Sequence, residues 1–263
     1  MKKYQWDADE YMQFSSSQQK WARESIEKAN LKRNERVLDV GCGDGRITAE
    51  IAKFLTEGSV VGIDNSEHMI SLAKEKFSRK EYPNLSFKIL DAKSLKFYNE
   101  FDVVVSNAAL HWTDEHVKIL KGMYNALKKG GRILLQMGGK GNVPEAFFVI
   151  NKMMAHPKWS SYFNNFKFPY YFFGVDEYGN FLSQTKFSST SVEIVEKDMQ
   201  HKGREGLTGW IKTTWLPYIH AIPEEQREEF INDLCNEFVK NFPADRDGFY
   251  HANAKRLIVQ AKK

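Results

Sequence analysis

One stretch constrains what this chain can fold into more than any other: Arg36-Val-Leu-Asp-Val-Gly-Cys-Gly-Asp-Gly-Arg46. Val37, Leu38 and Val40 form a short apolar run. Gly41, Gly43 and Gly45 follow at alternate positions, and the segment to Leu55 then places apolar residues at helical spacing. The pattern predicts a buried strand, a glycine turn and a helix. Glycine lets the backbone take positive φ and approach a ligand with no Cβ in the way. The free N–H groups of the helix start face that ligand. A dinucleotide fingerprint would read G-x-G-x-x-G. Here Arg46 fills the last position, which disfavours a nicotinamide enzyme, and Asp39 stands two residues ahead of the first glycine.

The order that follows is repetitive. Val60–Ile63, Leu85–Leu90, Phe101–Ser106 and Arg132–Met137 read as strands. Ser66 caps a helical stretch after the second, and Asp114 to Leu127 reads as a helix ending at Gly130-Gly131. Strands alternating with helices predict a parallel sheet covered on both faces. Ser191–Asp198 alternates cleanly and Leu257–Lys263 closes the chain, giving a doubly wound, mostly parallel seven-stranded α/β sheet. Between these, 144–181 is crowded with aromatics, among them Phe166, Phe168, Tyr170, Tyr171, Phe172 and Phe173. Residues 205–242 are helical with breaks at Pro217 and Pro223. The expected organisation is an N-terminal segment and core over 1–143, an aromatic cap insertion over 144–181 and a core strand region over 182–204. A helical cap over 205–250 and a closing strand over 251–263 complete it. The cap is expected over the carboxyl ends of the strands, its underside lining an apolar pocket.

Composition narrows the class. A net charge of +4 with no basic run gives no footprint for nucleic acid. No stretch reaches the length of a membrane span. The start, Met1-Lys-Lys-Tyr-Gln-Trp-Asp, lacks the apolar core of a signal peptide. Two cysteines, Cys42 and Cys235, are too few for a disulfide scaffold. The cytoplasm is the expected compartment and a monomer the default state.

The chemistry-bearing positions sit where strands end. Asp64 closes the second strand about twenty residues after the glycine loop, where an acid can accept both hydroxyls of a ribose. Asn65 adds a polar contact, and Met69 on the next helix can face a purine. Asp91-Ala92 ends the third strand, where a carboxylate can accept from an adenine amine. Ser106-Asn107-Ala108-Ala109-Leu110-His111-Trp112 ends the fourth, the place where ligands lie in doubly wound sheets. An Asn-Pro-Pro-Tyr motif for base methylation is absent there. His111 is the candidate catalytic residue, able to steer or neutralise an acidic substrate. His116 is expected on the helix surface, and the two lack metal-ligand spacing, so no metal is expected.

These motifs together resemble class I S-adenosylmethionine (SAM) methyltransferases, and within them the small-molecule carboxyl methyltransferases of the trans-aconitate and juvenile-hormone-acid kinds. The resemblance extends to Trp6, Tyr11-Met-Gln-Phe14 and Gln18, to Ala155–Trp159 and to Lys255–Lys263. It implies SAM as cofactor and a carboxylic acid as methyl acceptor. Gly41, Cys42 and Gly43 would hold the methionine part, with Asp39 orienting the loop. Gln18 would contact the methionine carboxylate or the acceptor. Asp64 and Asn65 would hold the ribose, Asp91 and Ala92 the adenine. Asn107 and Ala108 would lie under the sulfonium, and Trp112 would flank the pocket. Tyr11, Trp215, Tyr218 and Arg256 complete the expected acceptor contacts. Thr213-Thr-Trp-Leu-Pro-Tyr218 lacks the arginine expected of aconitate enzymes. A tricarboxylate needs buried cations to offset its desolvation, so the departure favours an acid with an apolar body. A carboxylate is ionised at neutral pH and needs no general base. Two other readings are an acid tethered to a carrier protein and a non-catalytic SAM-binding regulator. The first calls for a basic docking patch and the second for no pocket at all.

Overall fold

Apolar residues of strand β1 (Arg36–Val40) are buried from Val37 onward, and the glycine turn follows at once, Gly41, Gly43 and Gly45 having φ of 77°, 54° and 80°. The structure is a computed structural model that describes residues 16–263, with side chains from Lys20 onward. Tyr11, the side chain of Gln18 and the rest of the N-terminal motif lie outside the described residues. Helix α1 (Ser16–Lys28) leads into β1. After the turn come α2 (Arg46–Phe54), β2 (Ser59–Asp64), α3 (Glu67–Lys76), β3 (Leu85–Ile89), β4 (Phe101–Asn107), α4 (His116–Ala126) and β5 (Leu127–Gly138). Then follow α5 (Pro144–Ala155), α6 (Val175–Ser183), β6 (Ser188–Lys202), α7 (Gly203–Thr214), α8 (Leu216–Ile219), α9 (Arg227–Asn241) and β7 (Phe249–Lys262).

The strands form one seven-stranded sheet in the order β3-β2-β1-β4-β5-β7-β6. The β1, β2, β3, β4 and β5 pairings are parallel, and β7 runs antiparallel to β5. The expected α/β sheet is therefore present. The fifth strand starts earlier than its sequence suggested, at Leu127 rather than Arg132. The two glycines do not end the strand because the chain terminus pairs with them: Gly130 N–H donates to the Lys263 carbonyl at 3.1 Å, and Lys263 N–H to Gly131 at 2.8 Å.

The sheet's two faces carry separate cores. Leu38, Val104, Ile133, Leu135, Met137, Leu257 and Val259 pack with Ile119, Leu120 and Met123 of α4 and with Tyr178 and Leu182 of α6. Val37, Val103, Val105, Leu134 and Ile258 pack on the other face with Ala29, with Ala49 and Ile51 of α2, and with Ile70 and Ala73 of α3. This alternation along each strand is the two-residue period of β structure. It assigns a face to every polar residue at the strand ends.

The chain divides into two compact units. The sheet unit holds Gln18–Lys140, Tyr170–Val195 and Arg256–Lys263; the other holds Gly141–Pro169 and Glu196–Lys255. The aromatic stretch 144–181 thus splits between them after Pro169. Two backbone bonds explain the split: Tyr171 N–H donates to the His111 carbonyl at 2.8 Å, and Lys140 N–H to the Phe173 carbonyl at 2.9 Å. Both tie the second half of the stretch to the sheet unit. In the helical unit, α9 packs on α5 and α7. Its core is aromatic: Trp159 meets Phe230, Phe166 lies against Tyr218 at 4.7 Å, and Trp210 meets Trp215 at 5.1 Å. Among the described residues no helix is long and apolar enough to cross a membrane.

One polar anchor holds the α1–β1 connection to the sheet. Arg132 on β5 donates to both Glu35 oxygens at 2.7 and 3.0 Å and to the carbonyls of Ala29 and Asn30. Glu35 is buried. Removing one partner of a buried pair strands the other charge, at a cost of about 3 kcal/mol. We predict that Arg132→Met lowers the stability by about that amount, and that adding Glu35→Gln to it restores part of the loss. Urea midpoints of the single and double variants check this; equal losses in both would contradict the anchor.

Candidate active site

The site grows out of the contact between the β1 and β4 ends. A Cβ on Gly41 would lie 2.2 Å from the Ala109 Cβ, so only glycine lets the loop meet the turn after β4. Ala108 in that turn has φ 53°, the left-handed region, and its N–H donates to the Gln136 carbonyl of β5 at 2.8 Å. Gly41 and Cys42 N–H groups both donate to the Ile63 carbonyl of β2, at 2.8 and 3.0 Å. A Cβ on Gly43 would meet nothing within 4 Å. The backbone there is open to whatever the loop binds.

Two carboxylates set the loop. Asp39 is buried and accepts from the Thr48 hydroxyl of α2 at 2.7 Å, closing the turn from strand to helix. Burial pushes its carboxyl up to about 6; the Thr48 bond opposes this and the Asp64 charge adds to it. Asp64 at the end of β2 accepts from Gly43 N–H at 3.1 Å and from Ser66 N–H at 2.8 Å. Burial raises its pKa, and those backbone bonds oppose the rise. Asn65 is exposed and Met69 buried; Ser66 caps α3 by accepting from Met69 N–H at 3.3 Å. Cys42 is a buried free thiol pushed well up by burial, with Asp39 and Asp64 adding to the effect. Asp91 accepts from Lys93 N–H at 2.8 Å and so caps the short turn Ala92–Ser94.

The second half of the site lies at the ends of β4 and β5 and the adjoining part of β7. Gly138 pairs with Arg256 in the β5–β7 register, and Asn107 with Gln136 in the β4–β5 register. His111 sits beside them. Its Nδ1 accepts from Gly138 N–H at 3.4 Å, so the neutral ring carries its proton on Nε2. Lost hydration, then the Arg256 and His116 charges, push the ring down to about 3. At neutral pH His111 therefore presents a hydrogen-bond donor and no charge. Rings surround it. Trp112, Tyr170 and Phe172 lie 5.7, 6.1 and 5.9 Å from it, and Tyr170 stacks on Phe172. Arg256 is buried with its guanidinium 5.6 Å from the Trp21 ring.

His116 is not on a surface. It is 1% exposed, with Nδ1 3.1 Å from the Tyr178 hydroxyl and Nε2 2.9 Å from the Thr113 carbonyl. The apolar face of α4 needed that position, and a histidine fills it because both ring nitrogens find partners. Trp215 and Tyr218 are buried in the helical unit. The structure brings together Asp39, Gly41, Cys42, Gly43, Asp64, Asn107, Ala108, His111, Trp112 and Arg256 in the sheet unit. Sequence reasoning left out Gln136, Tyr170 and Phe172 as site residues. A glutamine closing the apolar run Ile133-Leu-Leu-Gln136 was the available signal.

A family model described as a methyltransferase domain matches residues 31–178. An uncharacterized methyltransferase, C70.08c of Schizosaccharomyces pombe, is 30% identical over 98% of this chain and 98% of its own. The trans-aconitate 2-methyltransferase of Agrobacterium fabrum is 26% identical over 98% of this chain and 99% of its own. The fold resembles that of the Haemonchus contortus phosphoethanolamine N-methyltransferase 2 solved with S-adenosyl-L-methionine. Its TM-score is 0.60 at 19% identity, covering 93% of this chain and 52% of that one.

The buried histidines make stability depend on acid. Burial holds His116 down to about 4, whereas an unfolded histidine takes its proton near 6.5. Its contribution is therefore fully present above pH 6.5. It falls as pH drops towards 4, because the unfolded state binds the extra proton there. Asp39 runs the other way: its raised folded value favours the fold as pH falls from about 6 towards its unfolded range. His116→Gln keeps polar partners for Tyr178 and Thr113 but cannot titrate. We predict that between pH 6 and 5 the wild type loses about 1.4 kcal/mol more per pH unit than this variant. Urea titrations at both pH values give the difference; parallel losses would refute it.

Proposed function

This chain belongs to the methyltransferase domain family, and from that premise we propose that it is a SAM-dependent O-methyltransferase acting on the carboxylate of a small or medium-sized organic acid. The observation that carries the acceptor class is the pairing of a buried guanidinium, Arg256, with a neutral N–H donor, His111, inside aromatic walls. A cation and a donor together suit a single carboxylate. The full-length likeness to trans-aconitate 2-methyltransferases supports carboxyl chemistry.

The residues present fit the cofactor. Open space over Gly43 admits a ligand against bare backbone. Asp64 retains acceptor capacity beyond its backbone bonds and would hold the ribose, with Asn65 beside it. Asp91 and Ala92 would meet the adenine, with Met69 as apolar backing, and Gly41, Cys42, Asn107 and Ala108 would hold the methionine end. When bound, SAM supplies an activated methyl group. Arg256 binds the acceptor carboxylate and fixes which oxygen faces the cofactor side, while His111 Nε2–H holds the other. Trp112, Tyr170 and Phe172 exclude water, which strengthens both interactions. Alignment of this kind replaces a general base, since the nucleophile is already an anion. Of the other expected acceptor contacts, Trp215 and Tyr218 pack in the helical unit's own aromatic core against Trp210 and Phe166, and Tyr11 and the Gln18 side chain lie outside the described residues. The protein is proposed to work in the cytoplasm on a small molecule, without nucleic acid or membrane.

Two outcomes test this reading. Asp64→Ala should weaken SAM binding by about 1–3 kcal/mol through lost hydrogen bonds, while Glu57→Ala, an exposed change on the α2–β2 connection, should leave it unaltered. Calorimetry on both variants decides, and equal affinities would remove the ribose assignment. Burying an apolar body stabilises a complex by about 25 cal/mol per Å², whereas each extra carboxylate must shed its hydration. Apolar monocarboxylic acids should therefore show higher kcat/KM than trans-aconitate in an S-adenosylhomocysteine release assay. Faster turnover of trans-aconitate than of every monoacid tried would show that further cations complete the site.

A further inference from the structure

We propose that Gln136 is an acceptor-contacting specificity residue, and that the acid methylated here carries a hydroxyl group close to its carboxylate. The inference rests on the carboxyl reading above. Gln136 is 3% exposed, yet its Oε1 is buried with no hydrogen-bond partner among the described residues. Asn107, its register neighbour on β4, has a buried Oδ1 in the same condition. A buried polar atom left without a partner is costly and uncommon in native proteins. Gln136 sits at the end of the run Ile133, Leu134, Leu135, where an apolar side chain would pack at no such cost.

The face of the sheet says what these groups meet. Gln136 shares parity with Leu134, Asn107 with Val105, and Arg256 with Ile258, all three of which belong to one core. Asn107, Gln136 and Arg256 therefore form a polar row across β4, β5 and β7 on a single face, one step from His111 at Gly138. The diagonal from Gln136 to Arg256 spans about 7–8 Å between backbones, within reach of two long side chains meeting one small molecule. An ionised carboxylate only accepts hydrogen bonds and is matched by Arg256. A carboxamide both donates and accepts. The simplest group that satisfies it in either orientation is a hydroxyl. A hydroxy acid with its carboxylate on Arg256 and its O–H on Gln136 would fill the row, and a plain acid leaves Gln136 unmatched.

The test uses acids in pairs, each a 2- or 3-hydroxy acid and its deoxy counterpart of equal chain length, assayed with the wild type and with Gln136→Leu. In the wild type kcat/KM should be at least tenfold higher for the hydroxy member. Gln136→Leu should abolish that preference, change the deoxy rate less than threefold and leave the Kd for SAM unchanged. Its Tm should hold or rise, because an unmatched oxygen has been removed; a structural glutamine would show a fall. A preference absent from the wild type, or retained in the variant, overturns the proposal. So does an equal loss in SAM affinity, which would assign Gln136 to the cofactor. If no acid of either kind is methylated, the carboxyl reading fails, and calorimetry of the same pairs with S-adenosylhomocysteine-bound enzyme decides the inference separately. Tenfold tighter binding of hydroxy members that Gln136→Leu erases sustains it; equal affinities within the pairs, or no binding by either, end it.

Discussion

The close approach of the glycine loop to the turn after β4 is the contact on which the site depends. Gly41 stands where a Cβ would lie 2.2 Å from the Ala109 Cβ, and both segments are in left-handed conformations, at Gly41 and at Ala108. For alanine that conformation costs of order 1–3 kcal/mol and persists only when surroundings enforce it. Here they do. The Ala108 N–H is bonded to β5, and the Ser106 hydroxyl donates to the Val40 carbonyl of β1 at 2.7 Å. The strand ends are thus locked to each other before any ligand arrives, so the donors and acceptors they carry are already in place.

Electrostatics in this site follow from burial more than from pairing. Asp39, Asp64 and Cys42 are pushed up and His111 and His116 down, in each case with lost hydration as the largest cause. Burial thus disfavours the charged form of each of these groups, while Arg256 brings a buried guanidinium to the ends of β5 and β7. A neutral His111 next to a guanidinium avoids like-charge repulsion while still offering an N–H.

Much of this was legible in the residues. The β1 run, the loop, Asp64 at the end of β2 and the succession of strands along the chain were readable because glycine spacing and apolar periodicity are local signals. The start of β5 was not, since its pairing with Lys263 joins residues far apart in the sequence. Nor was the burial of His116, whose ring meets Tyr178 from a distant segment. The aromatic stretch read as one insertion because composition cannot show where a backbone changes allegiance. Two hydrogen bonds, at Tyr171 and Lys140, decide that.

Gln136 shows where the limit of local reading lies. In the sequence it is one polar residue ending an apolar strand, a position where solvent or a cap would normally satisfy it. Only the register with Asn107 and the parity shared with Arg256 turn it into part of a row. An unmatched buried oxygen is destabilising, and Gln136 Oε1 finds no hydrogen-bond partner among the described residues. Of the chemistry available at these strand ends, recognition of a ligand's hydrogen-bonding group is the use that accounts for a carboxamide rather than a charge.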